Sequence, residues 1–126
     1  MKTVLFECFL VGAGGFVGAI CRYGVAALSK QLWETSFPVG TLIANVVGCF
    51  LIGLLIGSGQ EANRNLNLLF GVGFLGALTT FSTFGAETVG HVNEQSYGLA
   101  IGGVVINVGV GLAAVMVGIW LGKKVA

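Results

Sequence analysis

GVGFLGALTTFSTFG, residues Gly71 to Gly85, is the stretch that decides how this chain is built. It starts as an apolar, glycine-dotted run of the kind that crosses a membrane. It then changes character, with Thr79, Thr80, Phe81, Ser82, Thr83 and Phe84 in succession. Ser and Thr hydroxyls compete for backbone groups, so this is poor helix material. A non-helical backbone at membrane depth is tolerated only where protein buries it or where it lines a wet cavity. The expectation is a membrane helix broken near the midplane, and such breaks are where small ions are held. The competing arrangement is a continuous helix whose hydroxyls bond back to carbonyls one turn earlier.

The composition points the same way. Of 126 residues, 56% are apolar and only 9% are charged, against about a quarter charged in soluble domains. The mean hydropathy is +0.96. There are 22 glycines and one proline, without the repeat of collagen or the polarity of a disordered chain, which leaves tightly packed membrane helices. A formal net charge of +1 gives no electrostatic footprint for a nucleic-acid partner. Cys8, Cys21 and Cys49 are odd in number, lack metal-type spacing and sit in apolar runs, so they read as small apolar fillers.

Working outward from Gly71, four spans are expected, at about 4–28, 39–57, 66–89 and 97–121, forming one domain over residues 1–126. Pro38 is a natural opener for the second. A cleavable signal peptide competes for Lys2 and the apolar run after it. However, no small-x-small site leads into a soluble domain, and bulky Ile20 before Cys21 argues against a lipoprotein signal. Gly14 and Gly18, Gly53 and Gly57, Gly98 and Gly102, and Gly118 and Gly122 stand four apart, the interval that lets membrane helices approach closely.

Few polar residues fall inside the spans. Thr41 and Asn45 lie one turn apart on a face with Gly48 and Ile52. The Asn45 NH2 group offers two donors, to an anion or to a carbonyl of a neighbouring helix. Asn107 shares a face with Gly103 and Gly111 and reads as structural. Arg22 snorkels to headgroups, Glu87 ends the third span either at a water-filled entrance or, the preferred reading, as a solvated helix end, and His91 falls in a polar connection. No nucleophile has a base partner, and no carboxylate pair, phosphate loop or metal-ligand cluster is visible, so catalysis is not expected. Transport is. A cation path calls for acidic side chains within the spans. These spans instead offer neutral donors at Asn45, Thr41, Thr79, Thr80, Ser82 and Thr83, with the positive ring edges of Phe81 and Phe84.

GFVGAICRYG (Gly15 to Gly24), GTLIANVVGCFLIG (Gly40 to Gly53) and GFLGALTTFSTFGAE (Gly73 to Glu87) resemble the signature blocks of the CrcB/Fluc fluoride channels in sequence and order. The resemblance implies an all-α membrane protein of the cell (inner) membrane, built as an antiparallel dual-topology homodimer with two pores. It implies a passive fluoride-selective channel that relieves fluoride toxicity. Phe81 and Phe84 match the pore-lining aromatic pair and Asn45 the polar residue facing it, with Thr41, Ser82 and Thr83 on or beside the polar track. Gly76 and Thr79 match the break whose backbone carbonyls hold a central, structural Na+. Some members carry a tyrosine in the fourth span, whereas Leu99 to Ile119 contains no aromatic here.

The alternative is a small multidrug-resistance-type proton-coupled exporter. Such exporters need a membrane-embedded glutamate in the first helix, and Glu7 lies too near the terminus for that. Lys2, Arg64, Lys123 and Lys124 mark one side of the membrane against Arg22 and Lys30 on the other. That weak bias is compatible with insertion in both orientations.

Overall fold

The computed structural model describes residues 1–126, the side chain of Lys2 excepted. Every regular element in the described residues is helical. The first helix, α1, spans Lys2–Leu32 and closes with the Trp33 N–H on the Ser29 carbonyl at 3.0 Å. The second, α2, spans Val39–Gly57 and starts directly after Pro38. A single 3-10 turn, Gln60–Ala62, leads into α3, which runs through Arg64–Leu66, a π-helical stretch Asn67–Leu75, and a last α-turn Gly76–Leu78. Helix α4 spans Phe81–Asn93 and α5 spans Tyr97–Val125. Four segments, α3 and α4 counting as one, are long and apolar enough to cross a membrane.

The helices run past the expected spans at several ends, most consequentially at α4. Gly90 and His91 were expected in a connection, yet the helix continues to Asn93 because nothing in Gly90–Asn93 stops it. It ends on Gln95, the one non-glycine residue with positive φ (59°) among those described. There the Ser96 N–H reaches the His91 carbonyl at 2.8 Å and the Gln95 N–H reaches Val92 at 3.0 Å. This pair of bonds is a Schellman closure, which satisfies the last carbonyls of a helix.

Packing is backbone on backbone. Helix α5 lies along α2, and α1 lies against α3. A side chain at Gly53 would strike the Val115 carbonyl, and one at Gly118 the Phe50 carbonyl. On the other pair, Gly14 and Gly18 abut the Leu69 and Phe74 carbonyls, while Gly73 faces Val11. Three of the four spaced glycine pairs therefore sit in helix contacts. Gly98 and Gly102 do not, since nothing lies within 4 Å of a Cβ at either position. The buried apolar core is correspondingly slight: Ala44, Leu75, Leu78 and Ala100. Large apolar side chains such as Phe9, Phe16, Ile101 and Leu112 point outward, as expected where lipid is the solvent.

Overpacking a tight contact costs about 1–3 kcal/mol or more, and the Gly53 site has backbone on its far side. Gly53→Val is therefore expected to lower the thermal midpoint of the detergent-solubilised protein, whereas Gly98→Ala leaves it within error. Equal effects of the two substitutions would contradict this packing.

Candidate functional site

The site is assembled where α3 stops and α4 begins. Thr79 (φ −79°, ψ 156°) and Thr80 (φ −149°, ψ 116°) are both extended. Thr79 stays tied to the preceding turn, its N–H and its Oγ1 each donating to the Leu75 carbonyl at 3.0 Å. Its methyl group packs where a Gly48 side chain would stand. Thr80 is the N-cap of α4: its Oγ1 accepts from the Thr83 N–H at 3.1 Å, the ordinary way a first-turn donor is satisfied. Thr80 Oγ1 also meets Thr83 Oγ1 at 3.0 Å and Ser82 Oγ at 3.4 Å.

The two extended residues leave polar backbone exposed inside the helix packing, and Asn45 of α2 meets it. The Thr80 N–H donates to Asn45 Oδ1 at 2.8 Å, and Asn45 Nδ2 donates to the Thr80 carbonyl at 3.2 Å. Because a backbone N–H can only donate, this reciprocal pair fixes the orientation of the amide. The second hydrogen on Nδ2 goes to Asn107 Oδ1 of α5, also at 3.2 Å. One side chain thus joins α2, the α3–α4 junction and α5.

Around this clamp lies a groove of about 430 Å3 lined by Asn45, Gly76, Thr79, Phe81, Phe84 and Asn107, among others. The Phe81 and Phe84 rings are 5.7 Å apart and tilted by 55°. Phe81 is 83% exposed, so the groove is open on that side. The structure thus gathers five of the eight expected site residues, Asn45, Gly76, Thr79, Phe81 and Phe84. Thr41 and Thr83 instead line a smaller cleft of about 170 Å3 beside Arg22 and Tyr23, and Ser82 joins the Thr80 hydroxyl network. Asn107, read as structural, does bond the neighbouring Asn45, whereas Thr80 was counted only as a hydroxyl donor and nothing local marked its backbone as the group Asn45 meets.

Two readings need correction. Glu87 is not a solvated helix end: it is half-buried within α4 and accepts a 2.8 Å hydrogen bond from Thr41 Oγ1. His91 is likewise on α4, with its side chain only 12% exposed. Both line a cavity of about 350 Å3 together with Ser29, Lys30, Thr41 and Glu94. Glu7, at the start of α1, forms an ion pair with Arg64, whose Nε and Nη2 lie 2.6 and 3.0 Å from its two oxygens. Among the described residues, no three His, Cys, Asp or Glu side chains are already positioned to hold a metal ion.

The model of the family described as CrcB-like protein, Camphor Resistance (CrcB), matches residues 9–119. The chain belongs to the CrcB family. A CrcB relative named fluoride-specific ion channel FluC, from Dehalococcoides mccartyi strain CBDB1, is 43% identical over 120 residues, covering 93% of this chain and 92% of its own. Proteins of the same name match from Shewanella halifaxensis, at 42% identity with 94% of each chain covered, and Ruminiclostridium cellulolyticum, at 46% with 92% and 88% covered. With four spanning segments, this CrcB protein is a multi-pass membrane protein.

A buried polar group that loses its partner costs about 1–3 kcal/mol, and Asn45 serves three bonds to Asn107's one. Asn45→Ala is therefore expected to depress the thermal midpoint more than Asn107→Ala does. The reverse order in a detergent melt would remove Asn45 from its place as the clamp.

Proposed function

We propose that this chain is a passive, fluoride-selective ion channel of the cell membrane that lets fluoride leave the cell and so relieves its toxicity. The observation that carries this reading is that relatives 42–46% identical over nearly the whole chain are named fluoride-specific ion channels. The groove supports it with suitable chemistry. Its apolar walls carry two tilted phenylalanines whose ring edges are electropositive, and narrow dry constrictions with close donors favour the smallest halide. Thr41 and Thr83 supply hydroxyls in the smaller cleft, which shares Thr80 with the groove, and Ser82 joins them through the Thr80 hydroxyl. Both Asn45 amide hydrogens are committed to protein oxygens, so its part in the path is to hold the break in shape. The chain is not an enzyme. The exporter reading is set aside, because Glu7 is paired with Arg64 and the relatives are named as channels.

The same proposal takes the Thr79–Thr80 junction as a helix break near the membrane midplane and completes the groove with a second, antiparallel copy. The exposed Phe81 and the open wall beside it support that arrangement. A structural Na+ between the copies is also part of the reading. In a continuous helix the Thr80 and Thr83 N–H groups would bond the Gly76 and Thr79 carbonyls. Here those donors go to Asn45 Oδ1 and Thr80 Oγ1 instead. Gly76 and Thr79 from two copies would supply four carbonyl oxygens, a hard-ligand set suited to Na+.

Liposomes carrying the protein are expected to release fluoride without releasing chloride, with or without a protonophore. Phe81→Ile or Phe84→Ile should slow release about tenfold or more, roughly 1.4 kcal/mol at the barrier, and replacing Na+ with a large organic cation should also lower it. Chloride release at the fluoride rate would defeat the proposal. For topology, single cysteines introduced by Lys124→Cys or Asn93→Cys, after the three native cysteines are changed to alanine, should each be labelled from both sides of the membrane. Labelling of each from one side only would exclude dual insertion.

A further inference from the structure

His91 is the one histidine in the chain, and it does not sit on the surface. Its side chain is 12% exposed, and its Nδ1 is buried without a hydrogen-bond partner. It lines the cavity of about 350 Å3 at the C-terminal end of α4. Buried polar atoms are normally paired, so an unpaired imidazole nitrogen calls for a reason. Histidine is also the side chain whose charge ordinarily changes between about pH 5 and 8. Of the other ionisable groups, only the N-terminal amine ordinarily titrates in that range.

Shared residues connect this cavity to the groove. Thr41 lines both the cavity and the smaller cleft beside Arg22, and Thr80 lines both that cleft and the groove around Phe81 and Phe84. A charge in the cavity therefore acts on ions that approach the groove from this end. The charged lining residues are Lys30 (+1) of α1, Glu87 (−1) of α4 and Glu94 (−1) directly after α4, which sum to −1 with His91 neutral. Helix α2 and the connection before it contribute Thr35, Ser36 and Thr41 but no acid, base or histidine, and α5 contributes nothing to the lining.

Protonation of His91 adds +1 and brings that sum to 0. Glu94 Oε2 lies 4.0 Å from Nδ1, too far for a hydrogen bond, but its side chain is 74% exposed and has room to move. An imidazolium carries a hydrogen on both nitrogens, so Nδ1 becomes a donor on which Glu94 can close as a charge-assisted bond. One turn back along α4, Glu87 Oε2 is likewise buried without a partner.

We propose that His91 is a proton sensor that sets the rate of anion entry at this end of the chain. Neutral, it leaves the approach with a negative sum that repels fluoride. Protonated, it cancels that sum and draws Glu94 onto itself. Flow stays passive, because the proton alters the rate of entry and does not travel with the anion. The inference rests on the fluoride-channel reading and adds a means of regulating the same path.

The test is fluoride current through the full-length protein in planar bilayers at equal pH on both sides, a readout to which neutral hydrogen fluoride does not contribute. Current is expected to rise about twofold to fivefold as pH falls across the histidine range, and to rise less at high ionic strength. In His91→Gln it should not rise. Side-chain NMR of the isotope-labelled, tag-free protein follows the one histidine directly, and its midpoint should coincide with that of the current. A fluoride current that ignores pH, or one that rises equally in His91→Gln, would overturn the sensor. If His91→Gln does not fold, the two wild-type midpoints decide, and a separation of about one pH unit or more overturns it. No fluoride current at any pH would instead defeat the channel reading, taking the sensor with it.

Discussion

The reciprocal pair between the Asn45 amide and the Thr80 backbone is the constraint on which the rest of the site depends. Two extended residues between helices would otherwise leave an N–H and a carbonyl bare inside apolar packing, each costing about 1–3 kcal/mol or more. Asn45 meets both from one rigid side chain on a neighbouring helix. Gly48, one turn further along α2, leaves the space that the Thr79 methyl group fills. With the junction pinned, Thr80 is free to cap α4, and capping in turn sets where Phe81 and Phe84 emerge. The bond to Asn107 carries the same constraint into α5.

The helices that hold this junction have little core of their own. Their cohesion comes from surfaces close enough for dispersion to act between backbones, which is why glycines stand against carbonyl groups on the neighbouring helix. In water such a chain would expose too much apolar surface to persist. In lipid the outward phenylalanines and valines cost nothing, and close fit is the term that remains.

Much of this was legible in the sequence, because four apolar runs and the TTFSTF interruption follow directly from what hydrocarbon tolerates. The position of the backbone irregularity was legible too, since Thr and Ser advertise competition for the backbone. A bond from Asn45 to a carbonyl of a neighbouring helix was one of its two readings, but which groups pair across the helices escaped. That Asn45 would serve the Thr80 backbone, and that Glu87 would be held by Thr41, depends on how α2 and α4 are juxtaposed, which no local pattern encodes. His91 was misread because a polar residue near a span end looks solvated until the Schellman closure beyond it is known. The Gly98 and Gly102 pair has the right interval, but no neighbouring helix lies on that face.

The π-helical stretch Asn67–Leu75 has a geometric consequence for the junction after it. An α-helix turns about 100° per residue, while i→i+5 bonding takes more residues to complete each turn. Over nine residues the angular phase of everything downstream lags behind that of a regular helix. The wide segment therefore acts as a phase shifter. It lets one span present Leu69, Phe74 and Ala77 to the Gly14 and Gly18 side of α1 and then bring the Thr80 backbone round to Asn45 on α2.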